Sequence, residues 1–230
     1  MHEHPWRIAV LDSGVGPALM PRVRRMARFV DEGKQVRQCA PVEDPLGHGS
    51  LVAGIIASAA RPLELLIAQV LNERGRCTAA TLAAAVDWAM THGAELVHVS
   101  LGLPQDRAVL AAAVAASRTS GALLVAAAPA RGLTTYPASY PGVFRATGDA
   151  RCGGEQISFL NSANADFGAC PVHEGPAGKV SRGASVGAAH LSRYIVTHVA
   201  NGLSPWHVYQ NLMQEAVFQG PERPYPAARG

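Results

Sequence analysis

Three side chains that could together catalyse acyl transfer occur along this chain in the order Asp12, His48 and Ser185. Glycines accompany each of them, in the segments VLDSG (residues 10–14), GHGSLVAG (47–54) and GASVGAAH (183–190). A serine hydroxyl becomes a nucleophile when an imidazole takes its proton and a carboxylate orients that imidazole. These residue types predict a hydrolase in which Ser185 is the nucleophile, His48 the general base and Asp12 the orienting carboxylate.

Taken one at a time, the three motifs also have ordinary structural explanations. Asp-Ser-Gly is a common turn, a histidine before glycine can be a half-buried imidazole, and serine among glycine and alanine often begins a helix. Their order is more informative, since chymotrypsin-like and α/β-hydrolase chains arrange the same residue types differently. Order and spacing together favour a catalytic triad.

The elements that must position these residues are predicted from the apolar pattern. Short apolar runs typical of buried strands alternate with alanine-rich stretches typical of helices. Such alternation predicts an α/β fold with a mostly parallel central sheet and helices on both faces. The predicted strands cover residues 8–12, 65–71, 96–100 and 123–128, and the predicted helices cover 48–60, 78–91, 106–119 and 184–199.

Local signals mark several helix ends. Thr78 is a candidate N-cap, and Gly202 is predicted to end the helix over 184–199. Ser204 followed by Pro205 predicts the start of one more helix, because serine caps well and proline suits the first helical position.

The candidate catalytic residues fall at favourable places in this arrangement. Asp12 ends a strand, at the carboxyl edge where open parallel sheets place their sites. His48 and Ser185 stand at predicted helix N-termini, where free N–H groups and the helix dipole stabilise an oxyanion. Gly183 and Gly187 are expected to let the backbone approach a substrate closely.

Composition and charge favour a single domain over residues 1–230, with loose tails at 1–6 and 220–230. Hydrophobic residues make up 48% and charged residues 16%, which argues against disorder. The net charge of +3 is too small to indicate nucleic-acid binding. A local basic cluster is interpreted as a solvated surface segment, with contact to an acidic partner as the alternative; it consists of Arg22, Arg24, Arg25 and Arg28.

The sequence favours a cytoplasmic location. Its beginning leads directly into the short apolar run at residues 8–11, which does not resemble an export signal, and no apolar stretch approaches membrane-spanning length. The cysteines are scattered, with neither CxxC pairs nor zinc-like spacing, so we expect reduced thiols; they are Cys39, Cys77, Cys152 and Cys170.

From about residue 7 to 201 the chain resembles the subtilisin family of serine proteases. The resemblance rests on the three motifs in their order, on VSLG (99–102), on LVAAA (124–128) and on YPASYPGV (136–143). It implies a three-layer fold and a protein or peptide substrate bound as an extended strand. By the same resemblance, substrate-binding positions are Ser100, Leu101 and Gly102 on the binding strand, Ala128 leading to the oxyanion hole, and Pro137 at the pocket before the scissile bond.

Departures from the family pattern concern the oxyanion hole. Ala130 occupies the position of the family's oxyanion-binding Asn, and Ala184 that of a Thr, so two side-chain donors are lost. Arg131 follows Ala130 directly and is either a replacement donor at the pocket rim or a solvent-facing loop residue. We therefore expect an enzyme that is slow on generic peptides.

The resemblance predicts a serine endopeptidase acting on one or few protein substrates, as in leader removal or maturation of a modified peptide or small subunit. The family's prosegment and calcium loop have no counterpart in the sequence, so we expect no metal and no cofactor. The alternatives are a degenerate relative that binds extended peptides as a chaperone, and a general intracellular protease. Neither nucleic acid nor membrane is an expected partner.

Overall fold

The computed structural model describes residues 4–175 and 180–221, which build one large sheet with helices on both faces. Ten strands lie in the order β12-β8-β9-β7-β6-β5-β1-β4-β2-β3, and all neighbours pair in parallel except β2 with β3 and β8 with β9. Two further strands, β10 and β11, form a separate antiparallel pair. The strands are β1 (Trp6–Asp12), β2 (Val23–Asp31), β3 (Val36–Cys39), β4 (Leu63–Gln69), β5 (Leu96–Val99), β6 (Leu123–Ala127), β7 (Phe144–Gly148), β8 (Ile157–Phe159), β9 (Phe167–Ala169), β10 (Val172–Glu174), β11 (Val180–Arg182) and β12 (Phe218–Gln219).

Five α-helices and one 3-10 helix (Pro17–Arg22) are found in the described part of the chain. Thr78 caps the second helix by accepting a hydrogen bond from the Thr81 N–H, and Ser204 caps the fifth by accepting from the His207 N–H. The helices are α1 (His48–Ala57), α2 (Ala79–Thr91), α3 (Ala108–Thr119), α4 (Ala184–His198) and α5 (Pro205–Glu215).

Alternation of side chains along the central strands divides the core between the two faces of the sheet. In β1, Ile8 and Val10 join the cluster under α1, α4 and α5, whereas Ala9 and Leu11 join the cluster under α2 and α3. A strand buried on both faces has no polar alternation, which is why the run reads as continuously apolar. The α/β fold with helices on both faces is thus confirmed.

The predicted strands and helices are all present, with shifted ends. Helix α1 ends at Ala57, three residues earlier than predicted, and α3 begins at Ala108 instead of residue 106. Helix α4 ends at His198 because Val199 is already extended, so Gly202 does not terminate it.

Two expectations about the chain ends need correction. Trp6 is not part of a loose tail, since it begins β1 and is 3% exposed. At the other end, the Gly220 N–H donates to the Phe159 carbonyl at 2.9 Å, and the Gly220 carbonyl accepts from Arg151. The remainder of the expected tails, residues 1–3 and 222–230, lies outside the described residues.

The basic cluster lies on a strand that sequence reasoning missed. Arg24, Arg25 and Arg28 belong to β2, and Arg22 ends the 3-10 helix before it. Arg22 donates to the Ala57 carbonyl, and Arg24 pairs with Glu64 at 2.9 Å. Part of the cluster is therefore occupied by contacts within the chain.

Candidate active site

The three predicted catalytic side chains form one continuous chain of hydrogen bonds. His48 Nδ1 lies 2.9 and 2.8 Å from the two carboxylate oxygens of Asp12, and His48 Nε2 lies 3.1 Å from Ser185 Oγ. A carboxylate at Nδ1 holds the proton on that nitrogen and leaves Nε2 as an acceptor for the serine hydroxyl. This arrangement can activate Ser185 as a nucleophile.

The hydrogen-bond donors that hold Asp12 lie just after the ends of two neighbouring strands, β1 and β5. Its carboxylate is 1% exposed and accepts the Ser13 N–H at 2.7 Å and the Ser13 hydroxyl at 3.1 Å on Oδ1. On Oδ2 it accepts the hydroxyl of Ser100, which follows β5 beside β1. These bonds orient the carboxylate toward His48 and satisfy its buried oxygens.

His48 is positioned by the first turn of α1, and Asp44 fixes that turn. One oxygen of Asp44 accepts the Leu46 and Gly47 N–H groups, and the other accepts the N–H and hydroxyl of Ser50 at 2.9 and 2.6 Å. Burial alone would raise the pKa of Asp44, but hydrogen bonds, those from Ser50 foremost, hold it below its usual value. Sequence reasoning missed Asp44; the signal was a carboxylate just before a helix start.

Asp12 and Asp44 together raise the pKa of His48 above its ordinary value. The hydrogen bond from Nδ1 to Asp12 is the largest cause, burial opposes it, and the charges of Asp12 and Asp44 add to it. Stabilising the imidazolium in this way favours transfer of the Ser185 proton to Nε2.

Two glycines, one in α1 and one in α4, allow these helices to pack closely against the backbone at the ends of the strands. A Cβ on Gly49 would lie 2.2 Å from the Gly14 carbonyl oxygen, so α1 rests directly on the turn after Asp12. A Cβ on Gly187 would lie 2.3 Å from the Thr147 carbonyl oxygen at the end of β7. The expectation that Gly187 approaches the substrate is therefore corrected: it approaches the strand that supports Ser185.

The structure sets the predicted binding strand beside the triad. Ser100 is 9% exposed and turns its hydroxyl to Asp12, whereas Leu101 is partly buried and Gly102 is exposed. Leu103 then forms an isolated antiparallel bridge with Tyr136, with N–H to carbonyl distances of 2.7 and 2.8 Å. This bridge joins the predicted binding strand to the segment that contains Pro137.

The other predicted binding positions differ in exposure. Ala128, directly after β6, is 1% exposed, and Pro137 is also buried. Ala130 and Arg131 are exposed in the loop that follows β6. The Ser185 N–H is among the first in α4 and has no acceptor inside the helix, so it is free to face an oxyanion.

A buried histidine that sequence reasoning did not single out lies beneath the triad. His98, in β5, is fully buried beside Val10 of β1, and its Nδ1 lies 2.9 Å from the Ser192 hydroxyl of α4. Burial lowers the pKa of His98 to about 4, against the charge of Asp12, so the ring is neutral near pH 7. Its position inside an apolar strand gave no sequence signal of a link to the site.

A metal site built from side chains needs several ligating groups close together. In residues 4–175 and 180–221, no group of three or more His, Cys, Asp or Glu side chains could hold a metal ion. The described residues therefore contain no cluster of carboxylates of the kind that often holds calcium. Independence of calcium stays a prediction. Thermal unfolding measured with EDTA and with added calcium would test it, and the two curves should superimpose.

Comparison with known proteins places this geometry in a family. The model of the subtilase family (peptidase S8) matches residues 6–202. The chain belongs to the subtilase family. Among curated subtilases, it is similar to subtilisin BL of Lederbergia lenta, with 34% identity over 145 residues, 58% of this chain and 52% of that protein.

A second curated protease is also similar in sequence, and one solved structure is similar in fold. The thermostable alkaline protease of Halalkalibacterium halodurans is 31% identical over 148 residues, 60% of this chain and 39% of that protein. The crystal structure of a cold-adapted subtilisin-like serine proteinase superposes with a TM-score of 0.66 at 23% identity, covering 89% of this chain and 79% of that one. This chain spans about half or less of the length of the curated subtilases it matches. None of the helices in the described ranges is long and apolar enough to cross a membrane.

Proposed function

We propose that this subtilase is a serine endopeptidase. The observation that carries the proposal is the hydrogen-bonded chain from Asp12 through His48 to Ser185, closed at 2.8 and 3.1 Å. Each member stands in the chemical role that acyl transfer requires, and the family match supports the reading.

The proposed reaction proceeds by two acyl transfers. Ser185 Oγ attacks the peptide carbonyl carbon while His48 Nε2 takes its proton, and the carbonyl oxygen becomes an oxyanion facing the Ser185 N–H and the end of α4. His48 then gives the proton to the leaving amine, and the C–N bond breaks. Water attacks the acyl-enzyme with the same base, which releases the acid and restores Ser185.

We propose that turnover on generic peptides is slow. Ala130 and Ala184 offer no side-chain donor to the oxyanion, and in subtilisin the loss of one such donor lowers kcat by about 10²–10³. Arg131, exposed next to Ala130, is a candidate replacement donor or a contact for an acidic substrate side chain. A peptide library assayed with Arg131→Ala separates these roles from a solvent-facing arginine.

We further propose that the enzyme has a narrow substrate range and acts in the cytoplasm. The substrate peptide would bind as an extended strand along Ser100 to Gly102. A slow site gains from substrate contacts away from the scissile bond when they strengthen in the transition state. Maturation of a modified peptide fits this chemistry, and trimming of the small subunit of quinohemoprotein amine dehydrogenase is one candidate reaction. The four free cysteines support a reducing compartment.

A second candidate function is a peptide-binding chaperone without efficient cleavage. The observation that favours it is the loss of both side-chain oxyanion donors, at Ala130 and Ala184. The intact contacts of Ser185 and His48 favour the enzyme instead.

A fluorophosphonate probe tests the choice directly. The wild type should react at Ser185, and Ser185→Ala should not; in subtilisin, loss of this serine lowers kcat by about 10⁶. Ser181→Ala is the matched control, because Ser181 lies nearby in β11 outside the triad. Labelling that persists in Ser185→Ala would refute the nucleophile, and a wild type that stays unlabelled would favour the chaperone.

A further inference from the structure

An apolar groove opens beside His48 on one side of the triad. It has a volume of about 600 Å³ and runs between the 3-10 helix, the start of α1 and the β10–β11 pair. Leu19, Leu46 and Leu51 line it, and His48 itself forms part of its wall. The groove therefore borders the imidazole of His48 directly.

The layers of the fold show which end of a substrate would enter this groove. Leu101, Leu103 and Tyr136, next to the proposed binding strand, pack on the cluster under α2 and α3. Leu19 and Leu51, in the groove wall, pack on the opposite cluster under α1 and α4. A peptide crossing Ser185 from the binding strand thus continues over the groove after the scissile bond.

The transfer of a proton from His48 to the leaving amine indicates the same direction of the substrate across the site. His48 Nε2, 3.1 Å from Ser185 Oγ, must reach the leaving amine to protonate it. The leaving part of the substrate begins at that nitrogen, so it passes His48 and meets the groove next.

The lining selects apolar side chains. No Asp, Glu, Lys or Arg is among the described residues around the groove, and its titratable residues are His48 and His173. Leu46 is 39% exposed, so apolar surface at the mouth is open to a ligand. A charged side chain here would lose water without gaining a partner, whereas a large apolar one would bury its surface.

We propose that this groove binds a large apolar side chain, such as Leu, Met or Phe, within the first residues after the scissile bond. This inference rests on the proposed endopeptidase function and names a substrate class for it. It makes the leaving side a determinant of specificity in this subtilase, through Leu19, Leu46 and Leu51.

Gly54 offers a way to fill the groove without disturbing the triad. It lies within α1 and lines the groove, and a Cβ added to it would meet no atom within 4 Å. Gly54→Met therefore projects a long apolar side chain into open space, and Gly54→Ala is the matched control, because it restricts the backbone in the same way but adds only a methyl group. The rate of fluorophosphonate labelling of each variant reports separately whether the triad is still assembled, because the probe carries no residue on the leaving side.

The experiment measures kcat/KM on internally quenched peptides that differ only in the first two residues after the cut. The wild type and Gly54→Ala should prefer Leu, Met or Phe over Ala or Asp by about tenfold or more. Gly54→Met should lose most of that preference while still cleaving the Ala peptide. A flat wild-type profile, or a preference unchanged in Gly54→Met, would overturn the proposal.

A binding arm separates failure of this inference from failure of the endopeptidase function. Peptides with the same leaving-side sequences are titrated against Ser185→Ala by fluorescence anisotropy, with and without Gly54→Met. Tighter binding of the apolar peptides, lost in the double variant, supports the groove even if no peptide is cleaved. If Gly54→Met instead changes only the sedimentation of the protein, the groove is an interface between copies and the proposal is wrong.

Discussion

At the scale of single residues, His48 is the group through which every proton of the proposed reaction passes. Two carboxylates position His48 in different ways. Asp12 accepts a hydrogen bond from His48 Nδ1–H, and Asp44 binds the helix turn that carries His48. Both negative charges raise the pKa of His48, but Asp12 alone contacts the ring. An isosteric Asp44→Asn change therefore removes the charge of Asp44 while the contact between Asp12 and the His48 ring stays available.

Asp44→Asn should move the acidic limb of activity to lower pH. The proposed catalytic base is neutral His48, which predominates above its pKa, and loss of the Asp44 charge lowers that raised pKa. The measurement is the pH profile of the fluorophosphonate labelling rate. Glu43→Gln is the control, since it removes the same charge from the exposed neighbouring residue and should leave the profile in place. An acidic limb that moves equally in both variants would contradict the assignment to Asp44.

Ala130→Asn should accelerate hydrolysis of a small chromogenic peptide by up to about 10². Cleavage of the true protein substrate should be accelerated by a smaller factor. An Asn amide at this position would restore the donor that stabilises the oxyanion. Ala130→Asp is nearly isosteric but has no N–H donor, so it should give no acceleration. A wild type that already cleaves small peptides as fast as secreted subtilisins would show that no donor is missing.

At the scale of elements, the site depends on two helices whose N-termini converge on the ends of parallel strands. Helices α1 and α4 lie on the same face of the sheet and contact each other, so His48 and Ser185 meet across their first turns. Strand β5 lies next to β1 and supplies Ser100 to Asp12. Small shifts of either helix would separate groups that must stay within hydrogen-bond reach.

Gly187→Ala should therefore reduce both stability and kcat. The new Cβ would meet backbone atoms of Thr147 and Gly148 that cannot move aside, and overpacking of this kind costs about 1–3 kcal/mol. Urea unfolding and labelling kinetics measure the two effects. Gly54→Ala, which has open space in α1, should instead gain up to about 1 kcal/mol from helix propensity. Equal stability of the two variants would show that α4 tolerates the displacement.

At the scale of the whole molecule, the core beneath the site contains ionisable groups that resist charging. His98 and His190 are both buried, and burial is the main reason that the pKa of each falls to about 4. In the unfolded chain a histidine titrates near 6.5. Between these values the unfolded state binds more protons than the folded state. The contribution of the neutral buried rings to the free energy of unfolding is therefore present above about pH 6.5 and declines as pH falls toward 4.

His98→Asn should flatten this decline. For one histidine shifted from about 6.5 to about 4, the loss between pH 7 and pH 5 is on the order of 2 kcal/mol. Urea unfolding at the two pH values measures it, and an Asn amide can keep a hydrogen bond to Ser192. His198→Gln is the control, because His198 is exposed on the same helix as Ser192. A wild type whose stability does not change over this range would contradict the buried neutral ring.

The sequence by itself determined the candidate triad, the central strands and the main helices. Asp12, His48 and Ser185 stand out because chemistry needs those types, and the order in the chain distinguishes the family. Apolar runs and alanine-rich stretches predicted β1, β4, β5 and β6 with their helices, because local periodicity reflects burial on one or two faces. Helix ends were less certain, since the extended Val199 ends α4 and not the glycine beyond it.

Only the tertiary structure decided which groups meet. Strand β2 is rich in arginine and gains its place by pairing with β4, a contact distant in sequence that propensity does not record. The hydroxyl of Ser100 serves Asp12, and Gly187 fits against Thr147, because neighbouring strands and a helix start happen to be adjacent in space. The leaving-side groove likewise arises between segments that the chain separates by more than a hundred residues, so no local pattern could have predicted it.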